Sequence, residues 1–590
     1  MREPGMSRIV PIPLRVDDDQ LLAPHTWGFR DTAFTVLANG SVSLTGGRYA
    51  LSGLELPDLL PWISRVLGVE LQPDPSAAHR TASPVAVPES RAEGACLSAL
   101  RAALPPNAVS LEPLVRLRHG HGHTVDEIFA LRNGGFSRVP DVVVFPQSTD
   151  EVVRIVEVAA EHGACLVAFG GGTNVTDALR CPAHETRVVV SVDMRRLNRI
   201  LWIDPENLTA CIEAGAVGRH IAAALAAHGF TLGHEPDSYE FSTLGGWIAT
   251  HASGMKKNRY GNIEDIVLDV QVVTSAGLVA RTPVVARDSI GADPRRWVLG
   301  SEGRFGIITQ AVVKLRPVPE TEQHDAILFP GFETGVDFLH DLTRTGRIPA
   351  SVRLVDNLQF QLSQTLKPRA AGTAVWKRRA ERWYVTRVRG LDPSRMVACT
   401  LLFEGTRDEV AGQRSAVRRL ARRHGGVHAG AENGRKGYQL TFGIAYLRDF
   451  VMDYGVLAES FETTVSWTGV VALCARVKQR LRDEYVAQGL PGRPFVTARV
   501  TQLYDSGVCV YFYLGFHRGG TARPTDVFAV LERAARDEIL LCGGSLSHHH
   551  GVGRLRREFL PRVLSPAALA WADGVKAAVD PQRIFGVIDS

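Results

Sequence analysis

The segment that most constrains the fold is "RVPDVVVFPQSTDEVVRIVEVAAEHGACLVAFGGGTNVT", residues 138–176. Its apolar run at 142–145 predicts a strand, and Ser148 with Glu151 three residues later forms a capping box that predicts the start of a helix. Gly163 predicts the helix end. A second apolar strand, 164–169, then leads into three consecutive glycines. Strand, helix and strand in this order require a layered domain built on a sheet.

Length and charge narrow the class of protein. A chain of 590 residues that is 45% hydrophobic is too long for one core and predicts two or three domains. The net charge of +5 is small for this length. The basic clusters at 375–383 and 417–424 are typical of solvated helix faces, so we predict no nucleic-acid partner.

The cysteines and the terminal sequences indicate the cell compartment in which the protein works. The eight cysteines are far apart, with no CxxC pair, which favours buried thiols in a reducing compartment. No run of eighteen apolar residues is present, and we find no secretory or peroxisomal signal. These features predict a protein that works in the cytoplasm or at the inner membrane face, and they leave peripheral membrane contact open.

Composition shifts and turn signals divide the chain into four parts. Residues 1–137 form an N-terminal module with a hairpin predicted at Asn39-Gly40, several helices and a connector at 73–95. Residues 138–319 continue the strand and helix order to the prolines of "RPVP". Residues 320–540 form a second α/β domain with long amphipathic helices, and 541–590 carry "SHHHGVG" and a helical end.

The three glycines, by themselves, allow two interpretations. Residues without Cβ let backbone N–H groups approach a phosphate, but a tight structural turn is an equal alternative. The loop has neither the G-x-G-x-x-G spacing of a dinucleotide fingerprint nor the Lys-Ser/Thr of a Walker loop. Three further glycine-bearing segments, 237–254, 255–265 and 300–309, favour a cofactor cradle.

Together these segments resemble the FAD-binding domain of the vanillyl-alcohol oxidase-type flavoproteins. The resemblance implies an α+β protein with a two-subdomain FAD domain, an α/β substrate (cap) domain, and helical parts at both ends. FAD binding would be non-covalent, because Thr173 follows the glycines where covalent relatives have a histidine. The cofactor residues implied are Ala168, Phe169, Gly170, Gly171, Gly172, Thr173, Asn174, Asp237, Ser238, Tyr239, Glu240, Phe241, Ser242, Thr243, Thr250, His251, Ala252, Ser253, Glu302, Gly303, Arg304, Phe305, Gly306, Ile307 and Ile308.

Within that group, five segments resemble the alkyldihydroxyacetonephosphate synthase family: 351–360, 443–450, 455–467, 499–516 and 543–560. The resemblance implies replacement of the acyl chain of 1-acyl-dihydroxyacetone phosphate by a fatty alcohol. That exchange forms an ether through a covalent adduct at flavin N5, without net redox change. The alternatives are a 2-hydroxy-acid dehydrogenase or oxidase of the same fold and a non-catalytic lipid or flavin carrier.

The triplet His548, His549 and His550 allows a metal site, a polar loop or a catalytic cluster. For a metal site in an extended segment, neighbouring side chains alternate, so His548 and His550 could converge while His549 points away. No Cys, His or carboxylate nearby in the sequence completes a ligand set, and we predict no metal. The resemblance instead implies a catalytic cluster in which His549 is the direct partner of Tyr511.

Tyr511 corresponds to the family's base, which removes a proton from C1 of the substrate. Because a free phenol has a pKa near 10, we expect the imidazoles to lower it. Arg448 matches the residue that contacts the phosphate in the family. Arg353 matches an arginine that supports the flavin or the leaving carboxylate. The alternative for these arginines is a structural ion pair with Asp449 or Asp356.

The sequence departs from the family at two places, and it carries two further expectations. His251 replaces the family's arginine, which weakens the positive charge near the cofactor unless Lys256 or Lys257 compensates. The ending "FGVIDS" lacks the family's asparagines. Segment 366–384 lies where the family has a mobile gating segment, and we expect it to contact anionic lipid, with an exposed helix as the alternative. We also expect a homodimer.

Overall fold

The computed structural model describes residues 11–15, 21–74, 85–282, 284–291, 293–369 and 372–586. Part of the predicted connector (75–84), part of the predicted gating segment (370–371) and the C-terminal residues 587–590 lie outside these ranges.

The described strands are β1 Ile12–Pro13, β2 Phe34–Val36, β3 Val42–Leu44, β4 Val109–Ser110, β5 Val142–Val144, β6 Cys165–Phe169, β7 Val189–Asp193, β8 Arg199–Asp204, β9 Thr209–Glu213, β10 Phe230–Thr231, β11 Val267–Thr274, β12 Gly277–Val279, β13 Ile307–Lys314, β14 Arg316–Pro317, β15 Thr321–Phe329, β16 Ser351–Val355, β17 Val397–Gly405, β18 Val427–His428, β19 Val456–Ser466, β20 Phe495–Leu503 and β21 Gly507–His517.

The described α-helices are α1 Leu59–Leu67, α2 Gly94–Ala103, α3 Pro113–Arg118, α4 Val125–Asn133, α5 Thr149–His162, α6 Gly218–Ala227, α7 Leu244–Ala249, α8 Lys257–Tyr260, α9 Ile263–Ile266, α10 Arg295–Val298, α11 Phe332–Thr343, α12 Asn357–Thr365, α13 Thr373–Trp383, α14 Arg407–Arg423, α15 Ala431–Met452, α16 Val470–Ala487, α17 Pro524–Leu541, α18 Leu560–Val563 and α19 Pro566–Val579. A π-helical turn, Tyr384–Val388, extends α13.

The first sheet has the order β4-β5-β7-β6, and β7 pairs in parallel with both β5 and β6. Helix α5 makes the crossover, as the sequence predicts. Ser148 Oγ accepts a hydrogen bond from the Glu151 backbone N–H at 3.2 Å, and Gly163 ends the helix at φ +63°. The return bond of the capping box goes instead to Gln147, whose N–H donates to Glu151.

The second sheet has the order β1-β8-β9-β13-β11-β12 and is antiparallel. Both chain ends join these two sheets: β1 pairs with β8, and Phe585 forms a bridge to Leu166 of β6. Phe585 is only 1% exposed, so the C-terminal segment contributes to the core of the first sheet.

The third sheet, β18-β15-β17-β16-β20-β21-β19, is antiparallel throughout. Apolar residues of α11, α14, α16 and α17 join one face of this sheet in the largest core cluster. Successive residues of a strand point to opposite faces. Phe512 of β21 is therefore fully buried in that cluster, while Tyr511 faces a cavity on the other side.

The N-terminal module covers helix α15. The predicted hairpin forms between β2 and β3, with Gly40 at φ +78° in the turn. Its core includes Trp62 of α1 together with Leu447 and Phe450 of α15. The mixed α+β class predicted from the sequence is confirmed.

Candidate active site

One cavity of about 380 Å³ extends between the glycine loops, the third sheet and the N-terminal module. Its lining combines three kinds of groups. These are the backbone of the glycine loops, the polar side chains of Tyr511, His549, His550 and Arg448, and apolar side chains of α1, α12 and α15.

The glycine loop after β6 interlocks with a second loop, at 241–243. A Cβ on Gly170 would lie 2.4 Å from Thr243 Oγ1, and one on Gly171 would lie 2.1 Å from the Phe241 carbonyl oxygen. Gly245, in the first turn of α7, also lies close to Ala214, since a Cβ there would lie 2.9 Å from that residue's Cβ. This cradle without side chains fits the pyrophosphate of a dinucleotide.

Most residues predicted to hold the cofactor line this cavity, but five do not. The lining includes 168–174, Asp237, Ser238, Glu240, Ser242, Thr243, Thr250, Ala252, Ser253, Glu302, Gly303 and 306–308. The residues absent from the lining are Tyr239, Phe241, His251, Arg304 and Phe305. Phe241 contributes its backbone carbonyl to the interlocked loops, and its ring packs against Trp27 at 5.2 Å.

Strand pairing sets the neighbours of Tyr511. In the antiparallel register Tyr511 lies opposite Glu462 of β19 and Arg499 of β20, and directly paired residues share a face of the sheet. The Arg499 guanidinium lies 4.5 Å from the centre of the Tyr511 ring. A cation over the ring favours the phenolate charge.

The histidine triplet is held by the carboxylate of Glu462. This side chain is fully buried and accepts hydrogen bonds from Ser547 Oγ at 2.8 Å and from the backbone N–H groups of His548 and His550 at 2.7 and 2.8 Å. Burial alone would raise the pKa of Glu462, but the neighbouring imidazoles, with Arg556 and Arg536, hold it well below its ordinary value. The charged carboxylate therefore fixes the loop.

The directions of the three imidazoles differ from the sequence expectation. His549 Nε2 lies 2.5 Å from Tyr511 Oη and His550 Nε2 lies 3.5 Å from it, while His548 turns away to Tyr504. The segment is a series of bends and not a strand, so the alternation that would bring His548 and His550 together does not apply. Cys509, which is distant from the triplet in the sequence, lies beside His548 and His549 in the fold.

The expected lowering of the Tyr511 pKa was also wrong. Burial, with the charge of Asp237, raises the pKa of this phenol well above its ordinary value. Burial lowers the pKa of His548 and His549 to about 3 and that of His550 to about 4, so these rings are neutral at pH 7. A neutral imidazole does not stabilise a phenolate by charge, but it can accept the phenol's proton.

Arg448 lies on the cavity wall and makes the ion pair with Asp449 that the sequence left as an alternative, at 2.9 Å. It also donates to the carbonyl oxygen of His123 and lies 3.5 Å from the Glu459 carboxylate. Burial raises the pKa of Glu459 to about 7, with Arg448 opposing. A carboxyl group that titrates near neutrality thus lies beside the guanidinium.

Arg353 makes a different contact from the structural pair considered in the sequence. It is buried, donates to Thr441 Oγ1 and lies 3.4 Å from Asp237, which Arg499 also approaches at 3.3 Å. Asp356 instead caps α12 through the Gln359 N–H. Two arginines thus converge on Asp237, a cavity residue of the predicted cofactor set.

The charge lost at position 251 is not replaced by a neighbouring lysine. His251 has φ +55° and pairs with Glu264 at 3.2 Å. Lys256 is held by Glu235 and Glu404 at 2.7 and 2.6 Å, and Lys257 donates to the Leu503 carbonyl oxygen. None of these three residues lines the cavity.

Comparison with known proteins assigns the chain. Residues 140–283 match the family described as FAD binding domain, and residues 318–586 match FAD linked oxidases, C-terminal domain. Alkyldihydroxyacetonephosphate synthase of Caenorhabditis elegans is 42% identical over 96% of this chain and 94% of its own length. The chain belongs to the alkyldihydroxyacetonephosphate synthase family.

Two further comparisons agree with this assignment. The alkyldihydroxyacetonephosphate synthase of Trypanosoma brucei brucei is 34% identical over 82% of this chain and 78% of its own length. A solved alkyldihydroxyacetonephosphate synthase superposes with a TM-score of 0.81 at 28% identity, covering 97% of this chain and 98% of the other. The predicted family, its fold and its FAD domain are confirmed.

Sequence reasoning missed several residues that this synthase-family site uses. Glu462, Arg499 and Glu459 lie within the apolar strands β19 and β20, and charged residues there are a signal of partners across the sheet. Tyr504 and Cys509, on either side of the β20–β21 turn, are distant from the triplet in sequence and carried no local signal.

Proposed function

We propose that this flavoenzyme replaces the acyl chain of 1-acyl-dihydroxyacetone phosphate with a fatty alcohol, which gives 1-alkyl-dihydroxyacetone phosphate. One observation carries the proposal: a single cavity joins the cofactor cradle, the Tyr511–His549 pair and an apolar region. The apolar region is suited to bind an alkyl chain. It is formed by Trp62, Ile63, Val66, Leu67, Leu362, Ile444, Leu447 and Val451.

The chain's own groups have distinct roles in this proposal. Bound FAD supplies an electrophilic isoalloxazine ring. Tyr511 accepts the proton from C1 of the substrate while its own proton passes to neutral His549. Arg448, on the cavity wall, binds the phosphate as a fixed guanidinium. Arg353 and Arg499 hold Asp237 beside the cofactor loops.

The decisive assay incubates the purified protein with palmitoyl-dihydroxyacetone phosphate and labelled hexadecanol. Labelled ether lipid should form with an equal amount of released palmitate. Addition of D-lactate or glycolate without oxygen is the counter-test, because a 2-hydroxy-acid dehydrogenase would bleach the flavin. Bleaching without ether formation would contradict the proposal.

Non-covalent attachment of FAD is part of the same proposal. Thr173 follows the glycines of the cradle, and its neighbours in 170–174 offer no histidine to form a covalent bond. Acid precipitation should therefore release all the flavin into the supernatant. Yellow colour that stays with the protein pellet would contradict this.

We also propose that α13 and its π-helical extension bind an anionic membrane surface. Trp376 and Trp383 are 71% and 61% exposed, and Lys377, Arg378 and Arg379 are exposed on the same helix. Exposed tryptophans among cations are typical of interfacial helices. Among the described residues, no helix is long and apolar enough to cross a bilayer.

Trp376→Ala/Trp383→Ala should reduce sedimentation with vesicles of 30% phosphatidylserine by about tenfold, as expected for losing two interfacial aromatics. Trp571→Ala is the matched control, since Trp571 is 69% exposed on α19 and should leave binding unchanged. Equal loss in both variants, or equal binding to neutral vesicles, would contradict the assignment to α13.

The homodimer and the cytoplasmic location stay predictions from the sequence. Light scattering during gel filtration tests the first, with about twice the chain mass of 64.2 kDa expected.

A further inference from the structure

The histidine triplet continues beyond the catalytic pair into a chain of hydrogen-bonding groups. Tyr511 Oη lies 2.5 Å from His549 Nε2, and His549 Nδ1 lies 2.6 Å from His548 Nδ1. His548 Nε2 in turn lies 2.6 Å from Tyr504 Oη. Two phenols are thereby joined through two imidazoles.

The Nδ1 contact fixes the tautomers of the two rings. Each neutral imidazole carries one N–H, and only one of two facing nitrogens can hold a proton in a hydrogen bond. If His549 is protonated at Nδ1, its Nε2 accepts from Tyr511, and His548 must then be protonated at Nε2 and donate to Tyr504. The opposite arrangement reverses every bond. His548 and His549 therefore have opposite tautomers in either state.

These two states differ by a shift of one proton along each link. In the first, the Tyr511 oxygen has a free lone pair and can accept a proton from a group in the cavity. In the second, its O–H can donate one. Transfer along the chain turns Tyr511 from base to acid without charging a buried imidazole.

The reaction proposed above needs an outlet for a proton. The fatty alcohol gives up its hydroxyl proton as the ether C–O bond forms, and the departing fatty acid is ionised at neutral pH. One proton per turnover must therefore leave the site. Tyr504 stands at the outer end of the chain, half-buried at the β20–β21 turn, where Asp505 and Ser506 are exposed.

Two contacts position the outer phenol. Asn262 Nδ2 donates to Tyr504 Oη at 3.2 Å, and the Lys257 ammonium lies 3.4 Å from the centre of its ring. The arrangement matches the inner end, where Arg499 lies over Tyr511. A cation at each end favours transient negative charge on either phenol.

We propose that Tyr504 is the outer terminus of a proton relay, Tyr511–His549–His548–Tyr504, which carries the proton released in each turnover out of the cavity. The reaction that releases the proton is the one in the proposed function, so this inference rests on that function. The path of the proton rests on the hydrogen bonds alone. Tyr504 does not line the cavity, so its role is separate from substrate contact.

The test substitutes Tyr504 with phenylalanine, which removes one hydroxyl and keeps the ring under Lys257. We expect kcat to fall about 10²-fold with KM within twofold, because a proton-transfer group is lost and no substrate contact is. Imidazole buffer should restore part of kcat in the variant and leave the wild type unchanged. Tyr485→Phe is the control, since that hydroxyl donates to the Pro491 carbonyl oxygen at 2.6 Å, away from the relay.

A double variant separates a relay from a structural role. His548→Phe breaks the same path, so Tyr504→Phe/His548→Phe should be no slower than the slower single variant. The relay would be overturned if the kcat losses of the two single variants multiplied in the double variant. A kcat of Tyr504→Phe within twofold of wild type would overturn it too. Absence of ether product from the wild type would instead refute the proposed function.

The tautomers of His548 and His549 can be measured directly in the resting enzyme, without turnover. Ring nitrogen-15 spectra of the histidine-labelled holoenzyme should show one of His548 and His549 protonated at Nδ1 and the other at Nε2, with assignment by the His548→Phe variant. Identical tautomers, or a charged ring at pH 7, would overturn the path even if the reaction were different.

Discussion

At the scale of single residues, the site depends on a neutral phenol beside a neutral imidazole. Tyr511 is buried with a raised pKa, and His549 is half-buried with a pKa of about 3. Neither group is charged at rest, so a short hydrogen bond between them, 2.5 Å, can transfer a proton in either direction. Burial, which prevents a standing phenolate, is thus compatible with base catalysis.

Tyr511→Phe should lower the rate of ether formation by about 10²- to 10⁴-fold, the usual contribution of a general base. FAD content should match the wild type, because the hydroxyl is replaced without a change of ring. Tyr454→Phe, in the core beneath the N-terminal module, provides the control. A variant that keeps a tenth of the activity would exclude Tyr511 as the base.

Glu462→Gln tests the support under the triplet. The change keeps the side-chain size but removes the negative charge beside buried Arg536 and Arg556, which should lower the free energy of unfolding by about 3 kcal/mol. Ether formation should fall as well, since the triplet loses its fixed acceptor. The thermal midpoint and the rate are the measurements. Glu538→Gln, which breaks an exposed pair with Arg476, should cost below about 1 kcal/mol.

At the scale of elements, the strands and loops place these groups through pairing. The glycine loop after β6 works only because the loop at 241–243 closes over it at backbone contact distance. Likewise β21 brings Tyr511 between Glu462 and Arg499 because β19 and β20 flank it in register. A shift of β21 by one residue would place Tyr511 on the other face of the sheet, away from the cavity and from Glu462 and Arg499.

Gly171→Ala should weaken FAD binding, because the new Cβ would lie 2.1 Å from the Phe241 carbonyl oxygen and the two loops must separate. We expect an increase of at least about tenfold in the Kd for FAD, measured by flavin fluorescence, which corresponds to about 1.4 kcal/mol. Gly331→Ala is the matched control, since nothing lies within 4 Å of a Cβ there. Unchanged FAD affinity in Gly171→Ala would show that the loops tolerate a side chain.

At the scale of the whole molecule, buried neutral histidines make stability depend on pH. Burial lowers the pKa of His234 to about 3 and that of His121 to about 4, besides the triplet. The unfolded chain binds a proton at each such residue below about pH 6.5, whereas the folded chain does not. Stability is therefore full above about pH 6.5 and falls as the pH decreases towards the folded pKa.

His234→Leu should reduce this dependence by about 1.4 kcal/mol per pH unit between pH 6.5 and 3, because it removes one such group. Neither ring nitrogen of His234 has a hydrogen-bond partner among the described residues, so the leucine breaks no hydrogen bond seen there. Thermal midpoints from pH 7 to 5 measure the slope. His184→Gln, at an exposed residue, should leave it unchanged. If the thermal midpoint of His234→Leu fell with decreasing pH as steeply as that of the wild type, this coupling of His234 protonation to stability would be contradicted.

The sequence by itself determined the local helices, strands and loops and the candidate residues of the site. Periodicity and capping residues predicted α5, its flanking strands and the glycine loop, and motif resemblance identified the family, Tyr511 and the triplet. Such signals lie within a few residues of one another and act through local sterics and hydrogen bonds.

Only the tertiary structure decided which side chains meet. Glu462 and Tyr511 are separated by a helix and another strand in the chain, and their contact follows from the register of β19 with β21. The turn of His548 towards Tyr504, the approach of Cys509 and the loss of charge on the imidazoles depend on burial and pairing, which no local pattern specifies. Alternation along a strand assigns a residue to a face, but the partners on that face are chosen by sheet pairing between distant segments.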